Sequence, residues 1–199
     1  ANPGAGNWPR TQITSGATDE GIGIGDIDGD GDNDVAAGVT GGDNVAWWEN
    51  PGDGTGHWTS YHIGTVADEN FPDRFALVDI NGDKRLDLVV SEENDGTSSN
   101  AHVYWFEQPA DPKSPGWTRH TVVTQYTTNG MDAADMDRDG DIDIITGEHR
   151  GTEKVAIWEN VNNGSSWMEH VVATGKESHL GARVADLDGD GDLEIVSIA

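Results

Sequence analysis

The sequence predicts an all-β protein built from about four repeats of a four-stranded antiparallel unit. Three observations carry that prediction. An acidic nine-residue segment recurs with a period of roughly fifty residues; strand-length apolar runs flank each copy; and no stretch shows the three-to-four-residue spacing of an amphipathic helix.

The period is read directly. DIDGDGDND (Asp26 to Asp34), DINGDKRLD (Asp79 to Asp87), DMDRDGDID (Asp135 to Asp143) and DLDGDGDLE (Asp186 to Glu194) begin 53, 56 and 51 positions apart. Each is followed by an apolar run, VAAGV, LVVSE, IITGE or IVSIA, and the first three by a second, aromatic run, VAWWEN, VYWFEQ or VAIWEN. Both have the length and the β-branched or aromatic content of strands. A further segment opens on tryptophan: WPRTQI from Trp8, WTSYHI from Trp58, WTRHTV from Trp117 and WMEHVV from Trp167. With the run that precedes the acidic segment (GIGIGDI in the first copy), one period holds four strands.

Four strands in about fifty residues, repeated, describe a propeller blade. In the WWEN strand Val45 and Trp47 alternate with Ala46 and Trp48, so both faces are apolar, as a strand between neighbouring blades requires. β-helix rungs are shorter, and a sandwich has no internal repeat of this length. The expected units are 1–17 (an outer strand of a preceding or closing blade), 18–67, 68–126, 127–176 and the incomplete 177–199.

Composition fits many short strands. There are 27 Gly and 8 Trp, only 34% of residues are hydrophobic, and no Cys is present, so disulfide and thiolate chemistry are absent. Eleven basic against 37 acidic residues give a formal charge of -26, which repels nucleic acid and anionic membrane surfaces and would repel itself in a compact fold. No apolar run approaches a membrane span, and the opening ANPGAGNW carries no signal-peptide pattern, so an exported protein would be represented here by its mature form or by an excised piece.

The nine-residue segments hold 18 of the 37 acidic residues. Calcium takes six to eight oxygens, and alternate residues of a tightly turned loop converge to supply them. In loop one, positions 1, 3, 5 and 9 are Asp26, Asp28, Asp30 and Asp34; Asp32 at position 7 offers its backbone carbonyl, and Gly31 at position 6 permits the left-handed turn. Loop three repeats this with Asp135, Asp137, Asp139, Asp143, the carbonyl of Asp141, and Gly140. Loop four uses Asp186, Asp188, Asp190, the carbonyl of Asp192, Gly191, and Glu194, whose longer side chain can bind through both oxygens. Loop two departs most. Its ligands would be Asp79, Asn81, Asp83 and Asp87, with Lys84 in the glycine position and Arg85 at position 7, so it is the weakest expected site. Three or four calcium ions are expected in all. An EF-hand would continue to a Glu at position 12, where loop one has Ala37, and would be flanked by helices.

The D-x-D-x-D-G-x-x-D loop between two strands, followed by W-x-N and a Trp-led strand, resembles the FG-GAP or VCBS repeats of secreted and cell-surface proteins. It is also similar to the calcium-loop blades of integrin α-chain propellers and of several fungal and bacterial lectins and polysaccharide-degrading enzymes. The resemblance covers essentially the whole chain and implies fold, calcium and an extracellular or cell-surface location, but neither ligand nor reaction. In that family the loop joins the first two strands of a blade, counted from the axis. On this register EIVSIA stops at the second strand of the fourth blade, so the chain is expected to be part of a larger ring of seven or eight blades, or one protomer of an assembly that completes the ring.

No cluster of acid, base and nucleophile stands out. His120 and His170 share a repeat position with Tyr61 and Thr11, which reads as an interchangeable strand position. Glu148, His149 and Arg150 end a blade strand, and Asp132 and Arg183 stand where Gly23 and Ala76 stand in other repeats, so these five are the candidate ligand contacts. The leading expectation is a noncatalytic, glycan-directed binding or adhesion module whose partners are glycans or a cell-surface protein. A portion of a polysaccharide lyase and a purely structural repeat array are the alternatives.

Overall fold

A computed structural model describes residues 10–39, 44–67, 70–94, 98–176 and 181–198. The described residues form fourteen strands and no helix. The first sheet contains β1 (Ala17–Gly25), β2 (Asp34–Val39), β3 (Asn44–Glu49) and β4 (Thr59–Thr65). The second contains β5 (Phe71–Val78), β6 (Asp87–Glu93), β7 (Ala101–Glu107) and β8 (Thr118–Gln125), and the third β9 (Thr128–Ala134), β10 (Asp143–Glu148), β11 (Val155–Asn160) and β12 (Trp167–Ala173). A two-stranded sheet of β13 (Ala182–Ala185) and β14 (Glu194–Ser197) follows. In each complete sheet the strands lie in chain order and every neighbouring pair is antiparallel. These are propeller-like blades, and the ring they belong to is not closed by the described residues.

Strand alternation builds the core between blades. Ala36, Val45, Trp47 and Ile63 of the first blade pack with Leu88, Val90, Tyr104 and Phe106 of the second. On the opposite face of the second blade, Val89, Val103 and Trp105 meet Ile144, Ala156 and Trp158 of the third. The middle strands of the second blade thus feed odd and even residues into two interfaces, the arrangement that the two-faced apolar pattern predicts. On the first blade's free side, Ala37, Ala46, Trp48 and Trp58 are covered by Ile13.

WPRTQI, expected to be a strand, is not one where it is described: Arg10 to Thr14 lie outside every sheet, while Trp8 and Pro9 lie outside the described residues. The segment carries Ile13, and it covers the first blade's free side without pairing to any strand.

The shared position of the fourth strand has a structural partner in every complete blade. Tyr61 Oη donates to Glu49 at 2.9 Å, while His120 and His170 meet Glu107 and Glu159 at 3.1 and 2.5 Å. Tyr61 stacks on Trp47, and His120 on Trp105, with ring centroids 4.9 and 4.3 Å apart.

Candidate metal centres

Each acidic loop joins the first two strands of a blade and is wound by its own side chains. The position-1 carboxylate accepts amides from the turn: Asp26 takes those of Gly29 and Gly31 at 2.9 and 3.1 Å, and Asp186 those of Gly189 and Gly191 at 2.7 and 3.1 Å. Asp135 takes the Gly140 amide at 3.1 Å. Position 5 accepts the amide of position 7, as in Asp30 to Asp32 at 2.9 Å. Position 6 has a positive φ in every copy, +97° at Gly31, +103° at Gly140 and +94° at Gly191, and Lys84 adopts it at +72° without being glycine.

Position 9 is buried wherever a complete blade follows. Asp34 accepts the amides of Ile27 (3.0 Å) and Asn50 (2.9 Å), Asp87 those of Ile80 and Gln108, and Asp143 those of Met136 and Asn160. One carboxylate thereby ties the loop to the end of the third strand. Burial is the main cause that raises all three carboxyls above the usual range, Asp87 to about 6, against the lowering by these amides. Among the described residues Glu194 keeps only the loop bond, from the amide of Leu187 at 2.8 Å.

Positions 1, 3 and 9 converge. Carboxylate oxygens of Asp26, Asp28 and Asp34 lie within 4.8 Å of one another, and so do those of Asp135, Asp137 and Asp143, and of Asp186, Asp188 and Glu194. Loop two, with Asn81 at position 3, supplies no such carboxylate triad among the described residues. Asp28 Oδ1, Asp135 Oδ1 and Asp141 Oδ1 are buried without a hydrogen-bond donor. Burial, followed by the neighbouring Asp139, pushes the Asp141 carboxyl up to about 6. Converging oxygens that lack donors are what a hard cation needs.

Basic side chains divide the loops further. Arg85 forms an ion pair with Asp83 in loop two, and its Nε donates to the Gln108 carbonyl. Lys113, from the second blade, reaches Asp28 at 3.1 Å and Glu49 at 2.9 Å. Arg138 of loop three pairs with Asp192 of loop four at 2.5 Å. No basic side chain pairs with the five aspartates of loop three among the described residues. The pairings of Lys113 and Arg138 escaped sequence reasoning because they join different repeats.

The five candidate ligand contacts fall into two groups. Glu148 is buried and accepts from Thr152 Oγ1 and the Lys154 amide, while His149, 8% exposed, gives its amide to Thr127 and meets Arg150 Nε at 3.4 Å. Asp132 accepts the Val184 amide at 3.0 Å, and Arg183 donates to the Met131 carbonyl, so this pair joins the third and fourth blades.

No helix among the described residues is long and apolar enough to cross a membrane. No curated protein shows significant similarity to the chain. The model of the FG-GAP-like repeat matches three times, over residues 26–90, 79–146 and 135–197, each match running from one acidic loop through the next. With the loops, the strand order and the repeat agreeing over most of its length, the chain belongs to the FG-GAP-like repeat family.

Proposed function

We propose that this chain is a calcium-stiffened recognition module of the extracellular space or cell surface, with carbohydrate as its ligand class. The observation that carries the calcium reading is the convergence of buried, donor-free carboxylate oxygens in loops one and three. Asp26, Asp28, Asp30, Asp34 and the carbonyl of Asp32 would hold one ion; Asp135, Asp137, Asp139, Asp143 and the carbonyl of Asp141 a second. Asp186, Asp188, Asp190, Glu194 and the carbonyl of Asp192 would hold a third. Loop two, with Asp83 committed to Arg85, is the weakest and takes a fourth only at high concentration. Calcium supplies positive charge that cancels like-charge repulsion, and because it binds only the folded loop, its affinity adds to stability.

The recognition reading rests on the family's likeness to lectin and adhesion propellers and on the rigid scaffold that such blades offer. Further blades or a second protomer would complete the ring. A glycan array probed with calcium and again after chelation tests it: calcium-dependent binding to a defined glycan class is expected. Release of unsaturated sugars from acidic polysaccharides, abolished by His149→Ala, would replace this reading with that of a lyase.

A further inference from the structure

We propose that the junction of the first and second blades holds a further divalent-cation site, formed by Glu20 of β1, Asp73 of β5 and Glu93 of β6. It lies outside every acidic loop. Glu20 and Asp73 precede their loops by six residues of extended chain, about 20 Å, and Glu93 ends the strand that leaves loop two, so the three gather at the far end of the inner strands.

Their carboxylate oxygens lie within 4.8 Å of one another. Asp73 is completely buried; its Oδ1 takes Arg74 Nη1 at 2.5 Å, and its Oδ2 is buried with no hydrogen-bond partner at all. Arg74 stands 3.7 Å from Glu20 and donates from Nε to the Asn129 carbonyl at 2.8 Å, touching three blades. Arg74 is the one basic side chain in ion-pair contact with the triad among the described residues, so with all three carboxylates ionised two negative charges are left uncompensated, and Glu93 has no ion pair there. A divalent cation supplies the missing two charges and gives Asp73 Oδ2 its partner.

The backbone is shaped to bring these groups together. A Cβ on Gly21 would lie 2.3 Å from the Asp73 carbonyl oxygen, so only glycine lets β1 approach β5 closely enough to set Glu20 beside Asp73. An all-oxygen donor set selects a hard ion, calcium or magnesium, over zinc or copper. The ion would tie two blades together near the axis, whereas the loop ions act within single blades.

Crystals of the full chain grown in millimolar calcium and measured at long wavelength locate each ion by anomalous scattering. The expected result is a peak within the Glu20, Asp73 and Glu93 triad that disappears in Asp73→Asn and in the milder Glu93→Gln while the loop peaks persist. Native mass spectrometry of the same proteins should count one calcium fewer in each variant. Filled loops beside an empty triad, or an unchanged calcium count in both variants, would overturn the proposal. Because every peak is assigned to its own residues, empty loops beside a filled triad would contradict only the loop reading.

Discussion

Asp34, Asp87 and Asp143 look like metal ligands in the sequence, and each is equally a backbone acceptor for two amides, both of them buried at Asp87 and one of the two at Asp34 and Asp143. Replacing Asp87 by Ala is expected to cost about 2–6 kcal/mol, since each stranded amide costs roughly 1–3; urea unfolding in chelator checks this without any contribution from metal. Loop two offers a second prediction. Lys84 holds a left-handed turn that costs a side-chain-bearing residue about 1–2 kcal/mol, so Lys84→Gly should stabilise the protein by about 1 kcal/mol. In loop one, Lys113→Ala removes a positive charge beside Asp28 and is expected to tighten calcium binding there by about fivefold, near 1 kcal/mol, measured by titration calorimetry. The aspartates were legible because they recur at fixed spacing. Lys113 was not, since its partner lies 85 residues earlier in the chain and only blade packing brings them together.

At the scale of the strands, the repeat revealed the blade order, and alternation in β3 revealed its two faces. What joins one blade to the next was hidden. The side chain that ends the third strand reaches back to the preceding loop: Gln108 donates to the Ile27 carbonyl at 2.8 Å, and Asn160 to the Ile80 carbonyl at 2.9 Å. The indoles of Trp47 and Trp105 reach forward, to the carbonyls of Pro112 at 3.3 Å and Gly164 at 3.1 Å in the next blade. Sequence periodicity marks these residues as recurrent but cannot name partners about 60 to 80 positions away. Asn160→Ala strands a buried carbonyl at a blade junction and is expected to cost about 1–3 kcal/mol, seen as a lower denaturation midpoint with an unchanged slope. The fourth-strand histidines, in contrast, were legible as structural because Tyr61 stands at the same repeat position, where each pairs with the glutamate that ends or nearly ends its own blade's third strand.

For the whole molecule, the open faces and the charge matter most. Ile22 and Ile24 are each 58% exposed, while Phe75 and Leu77, at the same repeat positions, pack against the preceding blade. Net charge and buried acids set the pH response. Burial is the main cause that raises Asp73 to about 7 and Asp87 to about 6, from an ordinary value of 3.8. The folded protein therefore holds these protons more tightly than the unfolded chain. Their stabilisation is fully present below about pH 4 and is lost as pH rises through 6 and 7. Metal-free protein should melt higher at pH 5 than at pH 8, and calcium should reverse the order because its ligands must be ionised. Calcium bound in the acidic loops should stabilise each folded blade, and a thermal melt at pH 7.5 in calcium, after chelation and after readdition, measures that contribution. A large drop in melting temperature on chelation, restored by calcium, is the expected result; a melt that neither chelation nor readdition alters would rule calcium out of the loops.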